Sequence, residues 1–153
     1  MIRTDVMKVD KHIKRFEELS AIQEESPTAW QLIWKLICYK GWNCSVFRER
    51  TGLDDDVYYR AKRNDKSVPN VQTLMIICVH MELSAKAAEE LLAAAGIILS
   101  KAIPSHRAYM YVIYALDEKP IIIRNEFLNR LGLGRPLPRG GYNLKSHGIA
   151  HPL

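Results

Sequence analysis

The sequence predicts an all-α protein, and three observations carry that expectation. Strand-like alternation of apolar and polar residues is scarce. Apolar residues instead recur at the helical period of about 3.6 residues or fill wholly apolar runs. Gly, Pro and capping residues then cut these runs into helix-length pieces. The chain has 153 residues, enough to bury a real core without disulfides or metal. Its 48% apolar and 25% charged residues exclude wholesale disorder, collagen and disulfide scaffolds.

The elements follow in order. A first helix is expected from about Val9 to Ala21, where Val9, Ile13, Phe16 and Leu19 form one apolar stripe opposite Lys11, Lys14, Glu17 and Glu18. Ser26-Pro27-Thr28 reads as a break and a new helix start. The helix that follows reaches about Tyr39 and offers Trp30, Ile33, Trp34, Ile37 and Cys38 to the core, and Gly41 ends it. Asn43 caps a short helix to about Arg50, which Gly52 stops. Asp54 is expected to cap the next helix, with Asp55 and Asp56 in its first turn and its end near Asn64. These two short helices and their glycine turn read as a helix-turn-helix.

Pro69 punctuates the loop beyond, and Val71, Leu74, Met75, Cys78 and Val79 give another buried face. Ser84 caps a helix from Ala85 to Ala95, closed by Gly96. Pro104-Ser105 opens a helix from Tyr109 to about Glu118, and Pro120 separates it from a last one, about Ile122 to Leu131. From Gly132 onward Gly and Pro are dense, so the tail is expected to be irregular. The expected organisation is an N-terminal helix and linker (residues 1–28), a bundle (29–98), a helical extension (99–132) and a flexible tail (133–153).

Cys38, Cys44 and Cys78 form an odd set without a Cys-x-x-Cys pair, which fits a reducing compartment and an expected cytoplasmic location. Cys38 and Cys78 sit in apolar runs and read as small buried hydrophobes. No metal-ligand spacing, nucleophile elbow, phosphate loop or dinucleotide loop is present, so no cofactor, metal or enzymatic activity is expected. The uncharged stretch Leu91 to Ser100 is too short to span a bilayer. No secretory signal is read at the start, and no membrane partner is expected.

The ordered set of motifs from about Ala29 to Gly96 resembles the lambda-repressor-like, Cro/CI-type (XRE) helix-turn-helix family. Gly41-Trp42-Asn43 opens the family's second helix, and Gly52-Leu53-Asp54 matches its turn. Tyr58 and Ala61 fall on core positions, and Pro69-Asn70-Val71-Gln72-Thr73-Leu74 opens the fourth helix. Thr51-Gly52-Leu53, Tyr58-Tyr59-Arg60 and Asn125-Glu126-Phe127-Leu128 are similar to a bacterial subgroup with a C-terminal extension. The resemblance implies a five-helix bundle, with an N-terminal helix and one or two extra C-terminal helices added here. It also implies a sequence-specific transcriptional regulator bound to double-stranded DNA, usually as a homodimer. Tyr109, Val112, Ile113, Ile122, Ile123, Phe127 and Leu131 would either supply that dimer surface or extend the core.

Under this resemblance the DNA-facing residues are Ser45, Asp55, Asp56, Tyr59, Arg60, Lys62, Arg63 and Lys66. Arg60 would read guanine or clamp phosphate, Tyr59 would touch phosphate or a thymine methyl, and Lys62, Arg63 and Lys66 would hold phosphates. Ser45 lies at a helix start, where amides bind phosphate. Two residues depart from the family pattern. Arg48 stands where a small residue usually lets the two helices pack closely, so the pair is either splayed or Arg48 sends its head to solvent. Asp55 and Asp56 place carboxylates where a phosphate backbone would approach. They carry the alternative, a bundle kept as a protein-interaction module. The net charge of +5 does not decide between the two. Residues 41–66 hold six basic and five acidic residues, while residues 117–153 hold six and three.

Overall fold

The computed structural model describes residues 2–24 and 26–134. It is all-helical, with eight α-helices and no strand among the described residues. The expected tail, residues 133–153, lies outside them apart from Leu133 and Gly134.

Helix α1 runs Ile2–Glu24. It starts well before Val9, because neither Gly nor Pro interrupts the chain until Pro27. Its apolar stripe faces solvent: Val9, Ile13, Phe16 and Leu19 are all half or more exposed. Helix α2, Ala29–Lys40, opens with a capping box in which the Thr28 hydroxyl and the Gln31 side chain satisfy each other's backbone amides. Trp30, Ile33 and Ile37 are buried and Trp34 is half-buried. Cys38 is exposed, which corrects its reading as a buried hydrophobe. It sits one position round from Ile37, at the edge where the core-facing stripe ends.

Helices α3 (Cys44–Thr51) and α4 (Asp55–Lys62) have eight residues each. The Asn43 side chain accepts from the Val46 amide at 2.9 Å, as a cap should. Gly52 has φ +75°, a left-handed conformation that glycine takes without steric penalty. Asp54 occupies the cap position of α4 but makes no cap hydrogen bond. Asp55 and Asp56 in the first turn meet that helix end through charge alone. The helix also stops at Lys62, two residues short of the expected Asn64.

Helix α5, Val71–His80, is the most buried of the described elements, with Leu74 through His80 all buried. The Asn70 side chain caps it, and that of Ser84 caps α6, Ala85–Ala94. Helix α7, Pro104–Met110, continues into a π-helical turn, Tyr111–Ala115. There the Leu116 amide bonds to the Tyr111 carbonyl, five residues back, at 3.0 Å. The regular helix expected from Tyr109 to Glu118 is therefore displaced toward Pro104 and widened at its end. Helix α8, Ile121–Arg130, follows Pro120.

One core joins α2 to α8. Ile33, Ile37, Phe47, Leu74, Ile77 and Leu91 pack in the same cluster as Tyr109, Val112, Ile113 and Leu128. Tyr109, Val112 and Ile113 thus extend the core, whereas Ile122, Ile123 and Leu131 face solvent. The Asn125-Glu126-Phe127-Leu128 stretch docks this last helix. Asn125 lies 3.2 Å from the ring of His80, Phe127 stacks on Tyr111 at 5.1 Å, and Leu128 is buried. Glu126 pairs with Arg130 at 2.9 Å along the same helix. Among the described residues no helix is long and apolar enough to cross a membrane.

Candidate functional site

The turn between α3 and α4 is built around Thr51. Its side chain is fully buried, donating to the Phe47 carbonyl at 2.8 Å and accepting from the Leu53 amide at 3.1 Å. Gly52 and Leu53 can then reverse the chain within three residues. Behind α4, Tyr58 is buried against Trp34, edge to face at 5.3 Å, and against Phe47. Ala61 is buried beside it. These anchors hold the opposite side of α4 outward.

That outward side carries most of the residues read as DNA-facing. Ser45, Asp55, Asp56, Tyr59, Lys62, Arg63 and Lys66 are exposed, and Arg60 is half-buried. Tyr59 rests edge-on against the Tyr58 ring at 5.2 Å. The site therefore spans the start of α3, one face of α4 and the loop after it.

The charges are organised in pairs. Arg48 Nη1 donates to Asp55 Oδ1 at 2.7 Å, across the turn from α3 to α4. Arg48 thus sends its head to solvent, and the two departures from the family pattern prove to be partners. Asp56 meets Arg60, whose Nε lies 2.8 Å from a carboxylate oxygen in close ionic contact without hydrogen-bond alignment. Arg63 Nε donates to Asp65 at 3.0 Å. Among the described residues Lys62 and Lys66 make no ion pair. They are the site's available cations.

The titratable groups reflect these neighbours. Arg48, and after it the Cys44 thiol, hold the Asp55 carboxyl below its usual range. Burial and then Asp55 push the Cys44 thiol up. Asp65 is lowered to about 2 by the Ser67 hydroxyl and amide and by Arg63. No group of three His, Cys, Asp or Glu residues among those described could hold a metal ion.

Two features lay beyond the sequence reading. Trp42 is flanked by cations, with Lys40 and Arg50 each 5.7 Å from its ring centroid. Helical spacing does not bring 40, 42 and 50 together. The left-handed bend at Gly41, φ +70°, does. An open groove of about 580 Å³ also lies between α2 and α4, with Lys35 and Lys62 on its lining. It adds one lysine to the basic side of the site. No family model, curated protein or solved structure matches the chain.

Proposed function

We propose that the chain is a sequence-specific DNA-binding regulator of the Cro/CI (XRE) type. In this reading α3 and α4 are the helix-turn-helix and α4 lies in the major groove. One observation supports it above the others. The buried Thr51 and left-handed Gly52 set two eight-residue helices at a tight turn. The inner residues of α4 are locked while Tyr59, Lys62, Arg63 and Lys66 stay exposed. Lys62 and Lys66 are the phosphate contacts, and Arg60 exchanges Asp56 for a base edge on binding. Ser45 and the start of α3 meet the backbone on the other side.

The test is selection of sites from random duplex DNA, followed by titration at several salt concentrations. Affinity falls steeply with salt, and Lys62→Ala lowers the slope of log K against log salt by about 1. Arg60→Ala weakens the selected site more than random duplex. Folded protein that ignores every duplex at low salt overturns the reading.

The Arg48–Asp55 and Asp56–Arg60 pairs favour a second reading. They leave the tip of α4 locally neutral, a surface suited to a protein partner. Asp55→Lys with Asp56→Lys would abolish such an interaction while leaving the fold intact.

A further inference from the structure

Among the described residues the bundle leaves the apolar stripe of α1 uncovered. Val9, Ile13, Phe16 and Leu19 are 50–67% exposed. The sequence of this helix carries the stripe further, since Ile2, Val6, Val9, Ile13 and Phe16 follow alternating steps of four and three residues. That is the 3.5-residue period of a two-helix seam, narrower than the face a helix turns to a globular core. The 23-residue helix is about 34 Å long, a little over three heptads.

Charge selects the occupant. From Ile2 to Arg15 the helix holds five basic and two acidic residues, and from Phe16 to Glu24 three acidic and no basic ones. One half is +3 and the other −3. This polarity opposes the helix dipole, which favours anions at the N-terminus and cations at the C-terminus. The last turn has no basic residue. A helix so charged gains from a neighbour running the other way.

We infer that α1 pairs antiparallel with α1 of a second copy of this chain. Residue 11 lies at the two-fold axis. Val9 then meets Ile13 of the other copy, once on each side of the axis. The basic half of each helix then runs along the acidic half of the other. A parallel pair would set like halves together. Among the described residues the antiparallel register has one like-charge meeting, Asp10 with its mate. The inference does not depend on DNA binding, and it places the dimer contact away from the C-terminal helices.

Sedimentation of the full chain without DNA tests it. The expected mass is twice 17.6 kDa at tens of micromolar, and Ile13→Glu with Phe16→Glu weakens the dimer about tenfold or more. Both residues are exposed in one chain, so the bundle's melting temperature stays unchanged. Glu17→Lys with Glu18→Lys weakens the pair as well. Added salt loosens an antiparallel dimer and tightens a parallel one. The inference is overturned by a monomer at 100 μM, by a dimer indifferent to Ile13→Glu/Phe16→Glu, or by a dimer that salt tightens. It is equally overturned if Ile13→Glu/Phe16→Glu lowers the melting temperature of a monomer, the mark of a stripe packed on its own bundle. A monomer that sediments with phosphatidylglycerol vesicles through α1 also sinks it.

Discussion

Asp65 shows how one half-buried carboxylate organises a loop. It accepts from the Ser67 amide at 3.1 Å and from Arg63 at 3.0 Å, and the Ser67 hydroxyl donates to it as well. The same loop is tied back to α2 by Trp30 Nε1, which donates to the Ser67 carbonyl at 2.9 Å. The Asp65 carboxyl is lowered from 3.8 to about 2. A depressed folded-state value means that its contribution is fully present above the unfolded value. It is then lost as pH falls from about 3.8 toward about 2. Asp65→Asn should therefore flatten the decline of the melting temperature across that window and leave the profile above pH 5 parallel to wild type. A pair of superimposable profiles would show that Asp65 does nothing for the loop. Arg48 and Asp55 teach the complementary lesson. Each looks misplaced in the sequence, and their bond joins positions seven residues apart across a turn. The glycine turn between them breaks the helical period, so composition and spacing could not pair them.

Helices were legible where a local interaction sets their ends. Thr28, Asn43, Asn70 and Ser84 each receive a backbone amide three residues on, a contact that depends on nothing distant. Glycine stops were legible for the same reason. Gly52→Ala should cost about 1–2 kcal/mol, since alanine pays for the left-handed conformation, and Gly52→Asn should cost less. Urea denaturation of the two variants checks the order, and equal stabilities would remove the turn argument. The π-helical turn at Tyr111–Ala115 was not legible, because its wider winding uses residues that also suit an α-helix. Cys38 was misjudged because a run of apolar residues names a buried helix without saying where its outer edge falls. The candidate site was legible as a set of exposed residues on α4. Its ion pairs and the cations around Trp42 needed coordinates.

At the scale of the whole molecule, α8 is part of one cooperative core, although it comes after the turn-rich stretch from Leu116 to Pro120. Leu128 is 1% exposed and clusters with residues of α2, α5 and α6. Leu128→Ala should cost about 2–5 kcal/mol, and circular dichroism and tryptophan fluorescence should report one coincident transition. Ile122→Ala, at a position 75% exposed, should change little. Two separate transitions in the wild type would mean that the C-terminal helices fold apart from the rest. Buried Arg124, whose Nη1 reaches the Leu83 carbonyl at 3.5 Å, sits one turn before Leu128 and leaves its Nε without a hydrogen bond. The docking of α8 thus combines apolar packing at Leu128 with the polar contacts of Arg124 and Asn125.

The three cysteines acquire a use from where the fold puts them. Cys38 lies on the surface, Cys44 is partly covered at the start of α3, and Cys78 is enclosed in α5 with its thiol pushed up to about 12. Alkylation rates at the three sulfurs thus form a depth gauge. The first reads the native surface, the second reads loosening at the α3–α4 tip, and the third reads only openings that breach the centre of the bundle.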